Sequence, residues 1–154
     1  MTGIRRLGPG DEALVRQLSV EDARFDTDPP DPTAHAALPE QAATRFLADD
    51  QTILTVALEG PEPIGFLLAY DLPRRHGLLR MALLYEIGVR SDRRRRGIGR
   101  SLLQDLAARC RERGIGEAWV LAEDLNEDAK LFYASCGWKR EGGSIAMFER
   151  AEAL

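Results

Sequence analysis

The chain lacks the residues and runs that would place it in several common classes. Among its 154 residues are two cysteines, Cys110 and Cys136, too few for a disulfide framework. No nearby His or Cys completes a metal site, so no metal is expected, and both thiols are read as packed on apolar faces of predicted helices. No uninterrupted apolar run is long enough to cross a bilayer, and the opening Met1-Thr2-Gly3-Ile4-Arg5-Arg6 is not signal-like. A cytoplasmic protein with no membrane partner is therefore expected. Internal repeats and low-complexity blocks are missing too. With 44% apolar and 30% charged residues the balance is globular rather than disordered, and the length suits one domain over residues 1–154.

What the sequence does have is segregated charge. A net charge of -4 hides an arginine cluster at Arg90, Arg93, Arg94, Arg95, Arg96 and Arg100. Acids gather elsewhere, at Glu21, Asp22, Asp26, Asp28 and Asp31, and again at Glu123, Asp124, Glu127 and Asp128. Such segregation points to an anion site in one place and a cation site in another, against the plainer reading of a solvated surface. Nucleic acid is not the expected anion, because the chain is acidic overall and no aromatics are interleaved with the arginines.

Residue spacing predicts the elements. Strands are expected at Ile4–Leu7, Gln51–Leu58, Ile64–Leu72, Met81–Arg90 and Ala118–Ala122, the last a continuous apolar run buried on both faces. Helices are expected at Asp11–Val20, Pro39–Leu47, Gly97–Arg113 and Glu127–Cys136, with Asn126 as an N-cap and Gly114 and Gly116 stopping the third. Glu21–Thr33, with three prolines, reads as a loop. Trp138–Glu141 and Ile145–Glu149 read as a closing hairpin around Gly142-Gly143. The order gives an α/β domain with a mixed, mostly antiparallel sheet, and the strand–helix–strand unit Met81–Ala122 makes one parallel pair.

Between a strand and the long helix lies Arg94-Arg95-Arg96-Gly97-Ile98-Gly99. Glycines let backbone N–H groups turn towards a phosphate, and a helix N-terminus adds partial positive charge. This describes a pyrophosphate cradle. A P-loop needs Gly-Lys followed by Ser or Thr, but Arg100 follows Gly99; a Rossmann fingerprint needs a third glycine where Leu102 sits. What remains is R-x-x-G-x-G, followed downstream by Asn126-Glu127-Asp128-Ala129 and Leu131-Phe132-Tyr133-Ala134-Ser135-Cys136-Gly137-Trp138.

In these two blocks, and in element order over nearly its whole length, the chain resembles the GNAT superfamily of acetyl-CoA-dependent N-acetyltransferases. The resemblance implies a central parallel strand pair splayed for acetyl-CoA, with helices on both faces. It implies that Arg94, Arg95, Arg96, Gly97, Ile98, Gly99, Arg100 and Ser101 hold the pyrophosphate, that backbone groups of Ile87, Gly88 and Val89 bind the pantetheine arm, and that Asn126, Ala129 and Phe132 help position the cofactor. It gives Tyr133 the role of an acid protonating the departing thiolate. It also suggests a homodimer, which no residue of the sequence itself requires.

Acetyl transfer to an amine needs a base to free the nitrogen lone pair. Glu86 interrupts the apolar strand Leu83-Leu84-Tyr85-Glu86-Ile87-Gly88-Val89, where an unpaired buried carboxylate would be costly. It is expected to face a polar cleft, with desolvation raising its pKa, and to serve as base, directly or through a water; a structural ion pair with an arginine is the competing reading. Gly88 is expected to mark a bulge that splays the strand. Within the superfamily, Leu68-Ala69-Tyr70-Asp71-Leu72-Pro73-Arg74-Arg75, Leu84–Val89 and Ala122–Glu127 are similar to aminoglycoside 3-N-acetyltransferases, whose base, commonly Asp, falls on Glu86. The implied partner is a small cationic amine, plausibly an aminoglycoside, met by Glu123, Asp124, Asp26 and Asp28. Protein, peptide and polyamine acceptors, or a non-catalytic acyl-CoA-binding module, are the alternatives.

Overall fold

Five strands, β1 (Thr2–Arg6), β2 (Thr52–Glu59), β3 (Glu62–Leu72), β4 (Arg80–Val89) and β5 (Ile115–Val120), form one sheet in the order β1-β2-β3-β4-β5. The structure, a computed structural model, describes residues 1–25, 36–77, 79–143 and 148. It divides into two units, Met1–Leu121 and Ala122–Leu154, and the sheet belongs to the first. Neighbours pair antiparallel except β4 and β5, which run parallel from Arg80↔Ile115 to Leu84↔Val120. The crossover between that pair is the expected long helix, α4 (Ile98–Glu112).

Strand alternation divides the sheet's two faces. Leu54, Val56, Phe66 and Leu68 join Val15 of α1 (Glu12–Leu18) and Ala43 and Leu47 of α3 (Glu40–Ala48) in one buried cluster. The intervening residues face α4: the Thr55 hydroxyl donates to Asp105 at 3.1 Å, and a side chain added at Gly65 would strike Ile98 and Leu102. Helices thus cover both faces, and Leu102, Leu103, Leu106 and Cys110 are the buried stripe of α4. Each fully buried side chain of this kind contributes about 2 kcal/mol. Asp71, 5% exposed, accepts from Arg80 at 2.5 Å and Arg113 at 3.2 Å. That buried carboxylate fastens the start of β4 and the end of α4 to β3.

Several expectations are corrected. Part of the anticipated loop is a short helix, α2 (Asp22–Phe25), whose Phe25 is 5% exposed. β5 begins at Ile115, earlier than expected, and only Ile115 in it is buried. Gly114, at φ +67°, ends the α4 segment, but Gly116 lies inside β5, where an added Cβ would come within 3.0 Å of Leu79. Trp138–Glu141 is not a strand, and Ile145–Glu149, apart from Phe148, lies outside the described residues.

Candidate active site

Glu86 owes its direction to a one-residue irregularity. In the β3–β4 register Leu68 pairs with Glu86 while Ala69 pairs with Leu84, so Tyr85 is an extra residue. Before it, Ala82 and Leu84 lie opposite Asp71 and Ala69, on the α4 face, and both are buried. After it, Ile87 and Val89 take that face, and Glu86 and Gly88 turn to the face of Phe66 and Leu68. Without the bulge, alternation would aim the Glu86 carboxylate into the core beneath α4. The bulge therefore sits at Tyr85, not at Gly88. Gly88 answers a different need: a Cβ there would stand 2.7 Å from a Phe66 ring carbon and 3.0 Å from Phe25.

On this face Glu86 borders a cavity of about 190 Å³ whose other walls come from α1, α3, β2 and β3. The side chain is exposed, which overturns the expected desolvation, and the described walls beside it are mostly apolar instead of the expected polar cleft. Tyr85 and Tyr70 lie beside it, their rings edge to face at 5.8 Å. Burial, then the neighbouring Tyr85 and Glu86, push the Tyr70 phenol above its ordinary pKa.

Past Leu84, β4 has no described partner on its β5 side, while it stays paired with β3 to Val89↔Gly65. The Arg90 N–H donates to Ile64 at 3.0 Å. By antiparallel alternation Gly88 and Glu86 are then the residues bonded to β3, and the peptide groups of Ile87 and Val89 point to the open edge. The Val89 carbonyl is taken: it accepts from Arg94 Nε at 3.1 Å, while the same guanidinium donates to the Phe25 carbonyl at 3.0 Å. Arg94 thus ties α2 to the end of β4 instead of offering its charge to a ligand. Arg90 pairs with Glu62 and Asp92, and Arg93 with Glu59 and Asp92.

Arg95 and Arg96 differ. Both are exposed, and among the described residues neither guanidinium has a hydrogen-bond or ion-pair partner. Arg95 holds φ +60°, uncommon for a residue with a side chain, and Gly97 holds φ +79° as the N-cap of α4. No side chain caps this helix and its first turn carries no acid, leaving the amides at Ile98 and Gly99 for an anion. Ser101 is committed to the Gly97 carbonyl, its hydroxyl donating at 3.2 Å.

In the second unit, α5 (Glu127–Ser135) follows Asn126, whose side chain accepts from the Ala129 N–H at 3.0 Å. The Tyr133 ring meets those of Phe132 and Trp138 at a tilt, with centroids 5.3 Å and 5.9 Å away. Burial raises its phenol pKa, which keeps the proton on at neutral pH. Asp124 is engaged by Arg140 at 2.9 Å and by Lys130, so its charge is partly met within the unit. Glu123 is exposed. Asp26 and Asp28 lie outside the described residues.

A left-handed glycine cap, an acid-free helix start and an open strand edge fall within residues 85–99, and the sequence matches the Acetyltransferase (GNAT) family over residues 15–138. The chain belongs to the GNAT acetyltransferase family. By sequence, no curated protein matches it. The fold of this GNAT chain recurs among solved structures. An aminoglycoside acetyltransferase from an uncultured soil metagenomic sample, in complex with sisomicin, superposes with a TM-score of 0.84 at 20% identity, covering 98% of this chain and 97% of the other. The ribosomal-protein-alanine N-acetyltransferase of Brucella melitensis biovar Abortus 2308 gives 0.71 at 23% identity, covering 97% and 100%. Aminoglycoside N-acetyltransferase AAC(6')-Iy in complex with CoA gives 0.72 at 16% identity, covering 98% and 96%. At these identities the likeness is one of fold. GNAT enzymes use acetyl-CoA, and the residues present fit it: uncapped amides and two exposed guanidinium groups for phosphates, free peptide groups on β4 for an amide-bearing arm. Among the described residues no cluster of His, Cys, Asp and Glu could hold a metal ion, and no helix is long and apolar enough to cross a membrane.

Two residues of the site are not legible in the sequence. Nothing in Leu84-Tyr85-Glu86 signals a bulge, because apolar residues flank it on both sides. Phe25, which supplies both a core ring and the carbonyl that Arg94 grips, is hidden in a segment whose following prolines suggest loop throughout.

Proposed function

We propose that this GNAT chain moves the acetyl group of acetyl-CoA directly onto a primary amine of a small cationic molecule, with Glu86 as base and Tyr133 as acid. The supporting observation is the Tyr85 bulge, which lifts the Glu86 carboxylate out of the core face and onto a cavity while the same strand offers an open edge to the donor. Acetyl-CoA supplies the activated thioester carbonyl. Glu86, directly or through a water, takes a proton from the ammonium, freeing the lone pair. The nitrogen–carbonyl bond forms, the carbon–sulfur bond breaks, and the second proton shed by the nitrogen returns, through solvent, to the Tyr133 phenolate left by the proton transfer described next. Tyr133, held protonated by its burial, gives its proton to the departing thiolate. Arg95, Arg96 and the α4 amides hold the pyrophosphate. Asn126 caps α5 and keeps that helix start ordered.

The finer reading takes an aminoglycoside, acetylated on its 3-amino group, as the acceptor. It rests on the likeness of Leu68–Arg75, Leu84–Val89 and Ala122–Glu127 to that family, and on a structural neighbour solved with sisomicin. Glu123 is the acid left to meet a second ammonium, since Asp124 is engaged by Arg140 and Lys130. A peptide amine is the second reading, favoured by the ribosomal-protein-alanine acetyltransferase that shares the fold.

Thiol release from acetyl-CoA tests these readings with a panel of aminoglycosides, polyamines and peptides. Glu86→Gln and Tyr133→Phe should each lower kcat by about 10²–10⁴ with little change in the KM for acetyl-CoA. Turnover unchanged in both variants would remove these roles. Turnover of a non-aminoglycoside amine alone would keep the enzyme and discard the antibiotic acceptor. CoA binding with no thiol release across the panel would leave a binding module.

A further inference from the structure

The cavity beside Glu86 is unlike a site for a polyhydroxylated sugar. Its walls are Val15 and Leu18 of α1, Phe46 of α3, and Leu54, Phe66 and Leu68 of the sheet. Among the described residues two polar ones border it, Ser19 and Glu86. The Ser19 hydroxyl is committed: it donates to the Arg16 carbonyl at 2.7 Å and accepts from the Leu38 N–H at 3.0 Å. Sugar hydroxyls entering against these apolar side chains would lose water and find no replacement partners among them, a cost of about 1–3 kcal/mol for each buried group in proteins. An apolar arm meets no such cost.

Size and charge narrow the occupant. A dry apolar cavity of about 150 Å³ accepts a benzene ring, and this one measures about 190 Å³, room for a ring and one or two methylenes. At its rim stands one carboxylate, Glu86, with the edge-to-face tyrosines Tyr70 and Tyr85 beside it. A carboxylate next to aromatic faces suits an ammonium, and a primary alkylamine, with a pKa near that of lysine, arrives as one.

We propose that the acceptor is an arylalkylamine, or a branched alkylamine of like size, whose apolar arm fills the hollow between α1, α3 and the sheet while its ammonium rests on Glu86. The proposal rests on the acetyl-transfer reading and sets an apolar amine against the aminoglycoside acceptor of that reading, the test below deciding between them. The transfer step is the one already written, and its products are the N-acetyl arylalkylamine and free CoA thiol. Tyr70 and Tyr85 act in positioning the ammonium.

The test compares ethylamine, phenethylamine and sisomicin as acceptors for the full chain with acetyl-CoA, together with calorimetric binding of each amine to the CoA-saturated protein. Burying several carbons of the arm should set the KM for phenethylamine at least about tenfold below that for ethylamine, with kcat within about threefold. Leu18→Trp, filling the hollow, should raise the KM for phenethylamine about tenfold and that for ethylamine by less. Phe46→Ala, enlarging it, should shift preference to naphthylethylamine, so a folding failure of either variant leaves the other to decide. Equal KM values for the two simple amines, or a preference untouched by both variants, would overturn the proposal. Turnover of sisomicin with no heat of binding from phenethylamine would also overturn it while keeping the enzyme. Binding of phenethylamine that Leu18→Trp abolishes, with no thiol released for any amine, would uphold the hollow and refute acetyl transfer instead.

Discussion

Gly65→Ala should loosen the proposed donor site by pushing on the start of α4. A Cβ at Gly65 would lie 2.9 Å from Ile98 Cγ2, 3.3 Å from the Gly88 carbonyl oxygen and 3.4 Å from Leu102 Cδ1. Carbon contacts are comfortable at about 3.5–4.0 Å, so Ile98 must retreat by roughly half an ångström or more. Ile98 is the first residue of α4, and its β-branched methyl cannot swing away as the tip of a longer side chain would. The carbonyl on the other side blocks a compensating shift of β3. Overpacking of this kind costs about 1–3 kcal/mol. For a chain of this size each kcal/mol lowers Tm by about 2–4 °C, giving a fall of about 2–12 °C. The displaced helix start also carries the amides proposed for the pyrophosphate, each charge-assisted bond being worth about 1.5–3 kcal/mol. Partial loss of one should raise the Kd for CoA about tenfold. Differential scanning calorimetry and CoA titration read both effects. Gly3→Ala is the control, since nothing lies within 4 Å of its added Cβ; it should leave Tm unchanged or slightly raised. An unchanged Tm and unchanged CoA affinity in Gly65→Ala would refute the claim that β3 sets the position of the helix start.

The arginines of the loop should separate by role. Arg94→Ala should lower Tm, because two carbonyl acceptors lose a charged donor at about 1–3 kcal/mol in all. Arg95→Gly should raise Tm by a few degrees, relieving about 1 kcal/mol of left-handed strain, while weakening CoA binding in a titration; a parallel loss of both quantities would mean that Arg95 is structural. Tyr133 predicts an alkaline effect. Its folded-state pKa is raised by burial, so the folded state holds that proton longer than the unfolded state. The associated stability is fully present below about pH 10, the unfolded value, and is lost as pH rises towards the folded one. Thermal melts from about pH 9 upward should therefore fall less steeply for Tyr133→Phe, and identical slopes would sink the assignment.

Periodicity carries most of the fold. The stripe Leu102, Leu103, Leu106, Cys110 names the buried face of α4 correctly, and the strand–helix–strand unit gives the parallel pair. Short elements are harder. A four-residue helix such as Asp22–Phe25 is shorter than the window over which a helical period can be recognised. Gly116 reads as a helix stop because glycine commonly ends helices, yet it lies inside β5, where Leu79 fills the space a side chain would need. At the site, residue types are legible and their assignments are not. Six arginines look alike in sequence; which of them grips a carbonyl, pairs with an acid or faces outward depends on backbone angles at Arg95 and Gly97. Glu86 stands out because a charge inside an apolar run needs an exit. The exit, an extra residue at Tyr85, is set by pairing with β3, a long-range property that no local pattern records.

The bulge also bears on how such a protein can change over time. Apart from Glu86 at its rim, the described walls of the hollow come from residues 15–68, whereas the proposed donor site runs from Leu84 through the start of α4. One strand touches both, and the change of side at Tyr85 separates them along the chain. Recombination at that junction would exchange the amine-selecting half between relatives and leave the donor-binding half whole. Drift in the wall residues could retarget the enzyme while its acetyl source stayed the same. Loss of Tyr85 by a single-codon deletion would do the opposite. It would return Glu86 to the core face, which on the proposed mechanism removes the base for every acceptor at once.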